Sequence, residues 1–337
     1  MGKIAVDLDQ ALARRSAHGT PGRTAGRLLA QGDGWSVQDV ICTYGPSDRP
    51  FEELHSGTAI GMVMAGSFEY RSRRGSVLLT PGSFLLGNYG ESYECGHDHA
   101  AGDRCVAFRY AVDYFERLAA DAGAPRGERS FAVSRLPPLP APARLVTRAA
   151  TGVVGTFDGS WEELAVQVAG TAVRLARRLP CRPTAAPAGA VRRVTSSLRA
   201  IEREPGAHWT LRTLAAAAGL SPFHYLRTFQ QVAGVTPHQF ILRARLREAA
   251  VRLVREQAKV MEIALDAGFG DISNFNRSFR AEFGPRPRPI VRRALGDVPA
   301  LTPRACIPVC LQLGRRIRPT ARRGAPGCSP PRARVPA

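Results

Sequence analysis

One arrangement of helix caps and glycines occurs twice in the last third of this chain, and few folds accommodate it. Thr210 stands where an N-cap belongs, ahead of Leu211, Leu214, Ala215 and Ala218 at helical spacing. Gly219 closes that short helix. Ser221 and Pro222 open a second, which runs to about Ala233 and ends at Gly234. The order returns with Val260, Ile263, Ala264 and Ala267, then Gly268, then Asp271 as the cap of Ile272 to Phe283, then Gly284. Helix, glycine turn, helix is the helix-turn-helix pattern, whose second helix fits the major groove of a duplex. Between the units, Phe240, Ile241, Ala244, Leu246, Ala249, Leu253 and Val254 predict one long helix from Pro237 to Glu256. The two second helices overlay as Tyr225-Leu226-Arg227-Thr228-Phe229 on Phe275-Asn276-Arg277-Ser278-Phe279. In each, helical geometry turns the last Phe to the core and the Arg two positions earlier to solvent. The competing reading is a plain helical bundle with solvated arginines, and two units in tandem weigh against it.

Charge separates the same half of the chain from the rest. The formal net charge is +19. Residues 1–190 carry 21 basic side chains against 19 acidic, residues 191–296 carry 18 against 8, and residues 297–337 carry 8 against 1. A polyanion is the partner implied, nucleic acid before others, with a solvated basic face as the bland alternative. Nearly all of the positive charge is Arg, which suits bidentate contacts to phosphate and guanine. No run approaches the roughly 18 apolar residues of a membrane helix, and Met1 to Thr20 lacks the apolar stretch of a secretory signal. The expectation is a cytoplasmic protein with no membrane partner. The seven cysteines then point to free thiols, a metal site or a redox site rather than structural disulfides.

The N-terminal half has another texture. Residues 1–30 scatter Gly and Arg and predict a loose or partly helical leader. Over residues 31–120, short apolar runs alternate with turn signals: Val37 to Thr43, Ala59 to Met64, Ser67 to Tyr70, Val77 to Leu79, Phe84 to Leu86 and Val106 to Tyr110. Such spacing argues for an antiparallel β sandwich or barrel. Residues 121–189 predict a linker and two helices. One runs from about Pro142 to Val154; the other is capped by Ser160 and places Leu164, Val168, Ala172 and Leu175 on one stripe. That pair is either an interdomain brace or a dimer interface, and dimerisation is the favoured expectation. The Pro- and Arg-rich residues 297–337 predict a disordered tail. The fold class is thus α+β multidomain: an antiparallel β domain, a helical linker, and an all-α double helix-turn-helix domain at 190–296.

Residues 205–284 resemble the C-terminal domain of AraC/XylS-family transcription regulators. The resemblance rests on Leu214-Ala215, Gly219-Leu220-Ser221, Leu226-Arg227-Thr228-Phe229, Gly234-Val235-Thr236-Pro237, Arg245-Leu246, Ala249, Leu253, Ile263-Ala264, Gly268-Phe269, Phe275, Arg277, Phe279 and Phe283-Gly284. It implies seven helices that read two adjacent major-groove segments of double-stranded DNA. The base-reading candidates are then Phe223, His224, Leu226, Arg227 and Gln230 in the first unit, and Ser273, Asn274, Asn276, Arg277 and Arg280 in the second. After Gly284 the chain departs from the family pattern, with Pro285-Arg286-Pro287-Arg288-Pro289 where a Tyr-Arg pair usually stands. The resemblance also implies a cupin-like β barrel at residues 31–120 that senses a small-molecule effector, together with a homodimer and contact with RNA polymerase. Val63 to Phe68 and Leu79 to Ser83 look like the cupin hairpin and its Pro-Gly turn.

A catalytic cupin needs a His/Glu metal cage. Here His55 lacks a His-X-His neighbour, and Tyr93 falls where a later His belongs, so an enzyme is not expected. A cupin-type metal-dependent enzyme carrying a nucleic-acid-binding domain is the alternative function. The segment Gly45 to His55 is either a structural loop over the barrel mouth or an effector contact. No cofactor is expected. The one candidate is zinc or another transition metal on Cys95, His97, His99 and Cys105: alternation on an extended strand would point 95, 97 and 99 to one face, and the fold could bring Cys105 and either Cys42 or His55 near. The alternative there is packed thiols with histidines ordering a loop.

Overall fold

The computed structural model describes residues 2–50, 52–98, 101–125, 127, 130–155, 159–179, 187–256, 258–284 and 287. The expected tail at 297–337 and the candidate His99 lie outside the described residues.

Helix α1 (Gly2–His18) and strand β1 (Thr24–Gly32) occupy the stretch expected as a loose or partly helical leader. The strand was hidden because its residues are exposed or half-exposed along its whole length, so no apolar alternation marks it. Strands β2 (Trp35–Cys42), β3 (Glu52–Leu54), β4 (Thr58–Gly66), β5 (Phe68–Ser72), β6 (Gly75–Leu79), β7 (Phe84–Gly87), β8 (Ser92–Gly96) and β9 (Asp103–Tyr110) follow. Helix α2 (Val112–Asp121) leads to β10 (Arg135–Leu136), a short strand inside the expected linker that returns to pair with β7. The strands form two antiparallel sheets, one ordered β1-β2-β9-β4-β7-β10 and the other β3-β8-β5-β6.

Strand alternation decides what each face of the six-stranded sheet meets. Ile60, Met62, Met64, Val106, Phe108 and Tyr110 turn to one side, towards helices α3 (Ala143–Val153) and α4 (Trp161–Ala176). Val63 and Leu85 turn to the other, where Phe68, Tyr70 and Leu79 of the small sheet complete a second core. Ser160 caps α4 as expected, accepting from the Glu162 and Glu163 amides. The stripe of α4 does not wait for a second copy: Leu164, Val168 and Ala172 are fully buried against the sheet. The Tyr110 hydroxyl also donates to the Ala165 carbonyl at 2.7 Å. Burying a Leu or Val stabilises by roughly 1.5–3 kcal/mol each, so the stripe is spent within the chain. The α4 stripe therefore packs as a brace against the sheet of its own chain.

The remaining helices are α5 (Ala188–Arg203), α6 (Leu211–Ala217), α7 (Pro222–Ala233), α8 (Pro237–Arg255), α9 (Val260–Asp266) and α10 (Ile272–Phe283). They build two small cores, one under α6 and α7 and one under α9 and α10. Six helices of the DNA-reader region are therefore described; a seventh, implied after Gly284, lies almost wholly outside the described residues.

Candidate nucleic-acid interface

The local signals that frame the two units act as their chemistry requires. Thr210 and Thr213 form a reciprocal capping box at α6, and Ser221 accepts from the His224 amide at the start of α7. Asp271 accepts from the Asn274 amide at 2.7 Å and starts α10. Gly219, Gly234, Gly268 and Gly284 all take positive φ, at 63°, 77°, 87° and 81°. Gly268 has a further reason to lack a side chain, because a Cβ there would lie 2.7 Å from the Gly206 carbonyl oxygen.

Each second helix then separates into two faces. In α7, Tyr225 and Phe229 are fully buried and their rings pack 5.8 Å apart. Phe223, His224, Arg227 and Gln230 are exposed and Leu226 is half-buried. In α10, Phe275, Phe279 and Phe283 form a buried row, while Ser273, Asn274, Asn276, Arg277 and Arg280 are all exposed. The inward Phe and outward Arg read from the sequence thus hold in both units. Phe223 is 70% exposed and carries the Arg227 guanidinium 5.8 Å above its ring. That pairing holds a cation beside an apolar plate, chemistry that suits guanine edges and thymine methyl groups. In the second unit Arg277 donates to the Asn274 side chain at 3.4 Å, beside an open groove lined by Ser273, Asn276, Arg277 and Arg280.

Helix α8 joins the units rigidly, and here the arginine count misleads. The guanidinium of Arg245 donates to the carbonyls of Pro205 (2.9 Å), Ala207 (2.9 Å) and Gly268 (2.8 Å), clamping the entry to the first unit against the turn of the second. Arg247 pairs with Glu202 at 2.7 Å and Arg243 with Glu282 at 3.4 Å, both in buried surroundings. Burial pushes the Glu202 and Glu282 carboxyls up, opposed by Arg247 and Arg243 respectively. These three arginines stabilise the fold, so the basic excess of this region overstates its free positive surface.

The β domain treats its polar candidates as core. His55 donates to or accepts from the Tyr70 hydroxyl at 2.9 Å and stacks on Tyr93 with centroids 4.0 Å apart. Burial pushes its imidazole down to about 4. In the loop before it, Asp48 accepts from the Gly22 and Gly45 amides and pairs with Arg15 at 2.7 Å. Of the thiol and imidazole candidates, Cys95 and Cys105 lie half-buried among Val63, Phe68, Tyr70 and Leu79. Burial, and then Asp103, push both thiols up. Strand β8 ends at Gly96, so alternation does not carry to His97. Its Nε2 instead lies 2.7 Å from Asp103 Oδ2 and 3.7 Å from Cys42 Sγ. Sequence reasoning named Cys42 only as a residue that the fold could bring near and left Asp103 out; both depend on strand register.

Among the described residues no helix is long and apolar enough to cross a membrane. A helix-turn-helix domain family matches residues 214–293. An uncharacterised HTH-type transcriptional regulator of Haemophilus influenzae is 34% identical over 89 residues, 26% of this chain and 30% of that protein. The RCS-specific HTH-type transcriptional activator RclR of Escherichia coli is 36% identical over 83 residues, 25% of this chain and 29% of that protein. The matched segments span about three-tenths of these relatives' own length. A crystal structure of a regulator with an AraC-type DNA-binding domain from Chromobacterium violaceum aligns with 33% of this chain and 98% of its own, at 24% identity and a TM-score of 0.30. With the motif residues in place and these relatives named as HTH-type regulators, residues 214–293 carry a helix-turn-helix domain of the kind found in AraC-type transcription regulators.

Proposed function

We propose that this protein is a sequence-specific DNA-binding regulator of transcription, governed by a small-molecule effector held in its β domain. One observation carries the reading. Two helices with buried aromatic rows present Arg227 and Arg277 outward, and a single side chain, Arg245, ties the entry to the first unit to the turn of the second. Arg227 and Arg277 suit guanine, Asn274 and Asn276 suit adenine, and Phe223, His224, Leu226, Gln230, Ser273 and Arg280 complete the reading set. The N-terminus of α7 adds amides suited to phosphate. A homodimer, contact with RNA polymerase and a cytoplasmic location belong to the same reading. The enzyme alternative lacks support, since His55 is taken up by Tyr70 and Tyr93 and the matched relatives bear regulator names.

The test is binding of the full chain to a randomised duplex library, then to the selected site at stepped salt. A shared motif with two half-sites about one helical turn apart is expected, with affinity falling steeply with salt as counterions are released. Enrichment of no sequence at all would remove the reading.

A further inference from the structure

We propose that Cys42, His97 and Asp103 form a binding site for a soft divalent cation, zinc in the first instance. Cys42 ends β2 and Asp103 begins β9, and the register of the two strands sets them directly opposite one another. His97 arrives from the far sheet, just past the end of β8. One donor atom from each, a sulfur, a nitrogen and an oxygen, lies within 4.8 Å of the other two. All three residues are buried, at 8%, 5% and 5% exposure. A thiolate, an imidazole and a carboxylate gathered at this separation are the donor set zinc takes, and such a site leaves a fourth position open. Cys105 stands beside the carboxylate, with its Sγ 3.3 Å from Asp103 Oδ1.

Charge argues the same way. A carboxylate this buried needs a compensating positive charge. Among the described residues no arginine pairs with Asp103: Arg104, next in sequence, turns to Asp39 and Asp7. Arg199, which feels the Asp103 charge, places its terminal nitrogen on the Ala101 carbonyl at 2.9 Å. Among the described residues the His97 imidazole and the Cys105 and Cys42 thiols meet Asp103, and His97 Nδ1 has no hydrogen-bond partner. A divalent cation would place positive charge between the carboxylate and the imidazole and ionise the thiol it binds. The backbone is shaped for the approach as well. A Cβ on Gly66 would lie 2.3 Å from the Gly102 carbonyl oxygen and 2.7 Å from the Asp103 Cα, so only glycine lets β4 meet the segment that delivers the carboxylate.

The site also lies two residues from a contact to the DNA reader, the Ala101 carbonyl that accepts from Arg199 on α5. Ordering of Asp103 by a cation would bear on that contact. This consequence rests on the proposed DNA-binding function; the metal site itself does not.

The experiment loads the full-length protein with zinc, removes loosely held metal by gel filtration, and measures metal per chain. Cobalt loading supplies a spectrum. About one zinc per chain is expected, with a thiolate-to-cobalt charge-transfer band in the near ultraviolet. Cys42→Ser and His97→Gln should each weaken zinc binding by about tenfold or more, while His18→Gln, on the exposed end of α1, should not. Circular dichroism of each variant checks folding. Should either fail to fold, Asp103→Asn and the cobalt spectrum of the unaltered protein decide. Absence of stoichiometric zinc, zinc retained in full by folded variants, or cobalt bound without the thiolate band would overturn the site. Separately, zinc should change the affinity for the selected duplex several-fold, and not in Cys42→Ser; no change would remove the regulatory consequence and leave the site standing.

Discussion

The two helix-turn-helix units share a grammar but are anchored to different parts of the molecule. The first is joined to the β domain directly. Leu78 of β6 packs into its core, and Arg135 of β10 donates at 2.7 Å to both the Leu78 carbonyl and the Val232 carbonyl near the end of α7. Burial pulls the Arg135 guanidinium down to about 10, the cost of holding a charge between two carbonyls. The second unit meets the brace instead. Ala143 of α3 lies in its core, and Arg144 donates to the Phe283 carbonyl at the end of α10. Among the described residues, a change in the β domain therefore has Leu78 and Arg135 as routes to the first reading helix, and α3 as a route to the second. The units differ in their caps too: Ser221 is neutral, whereas Asp271 places a carboxylate where phosphate would approach.

The largest effect that tests this contrast is loss of a core ring. Phe229→Ala and Phe279→Ala should each cost about 3–5 kcal/mol in urea unfolding. Only Phe229→Ala should raise amide exchange in β6; equal exchange there in both variants would erase the difference in anchoring. Next comes the anchor itself. Arg135→Met should cost about 1.5–3 kcal/mol, as expected for charge-assisted bonds lost from buried carbonyls. It should loosen Val232 to Gly234 and leave Phe283 unchanged, while Arg144→Met should do the reverse.

Base readout follows. Arg227→Ala and Arg277→Ala should each relax preference at one half-site by about 1–3 kcal/mol, read by competition with single-base variants of the selected duplex. A uniform loss across all sequences would assign these arginines to phosphate. The smallest effect lies in the caps. Asp271→Asn keeps a capping oxygen and removes a like charge facing phosphate, so affinity should rise by about 0.3–1 kcal/mol at low salt. Ser221→Asp should lower affinity by a similar amount, and both differences should shrink as salt screens them.

What was legible in the sequence was short-range. Thr210, Ser221 and Asp271 cap because a side-chain oxygen reaches an amide two or three residues on, whatever the rest of the chain does. The inward Phe229 and outward Arg227 follow from 3.6 residues per turn. Strand β1 and the two-residue β10 were not legible, since one is exposed along its length and the other is too short to show alternation. The position of His97 was not legible either, because its strand stops one residue earlier and alternation no longer applies.

By itself, then, the sequence determined the double helix-turn-helix, the outward arginines and the existence of an antiparallel β domain, because caps, glycine turns and periodicity act within a few residues. Tertiary structure alone decided that the α4 stripe covers a sheet, that Arg245 clamps carbonyls rather than facing a duplex, and that Cys42 meets Asp103 and His97. Each of those depends on segments distant in the chain being brought together by sheet register and core packing, which no local pattern encodes.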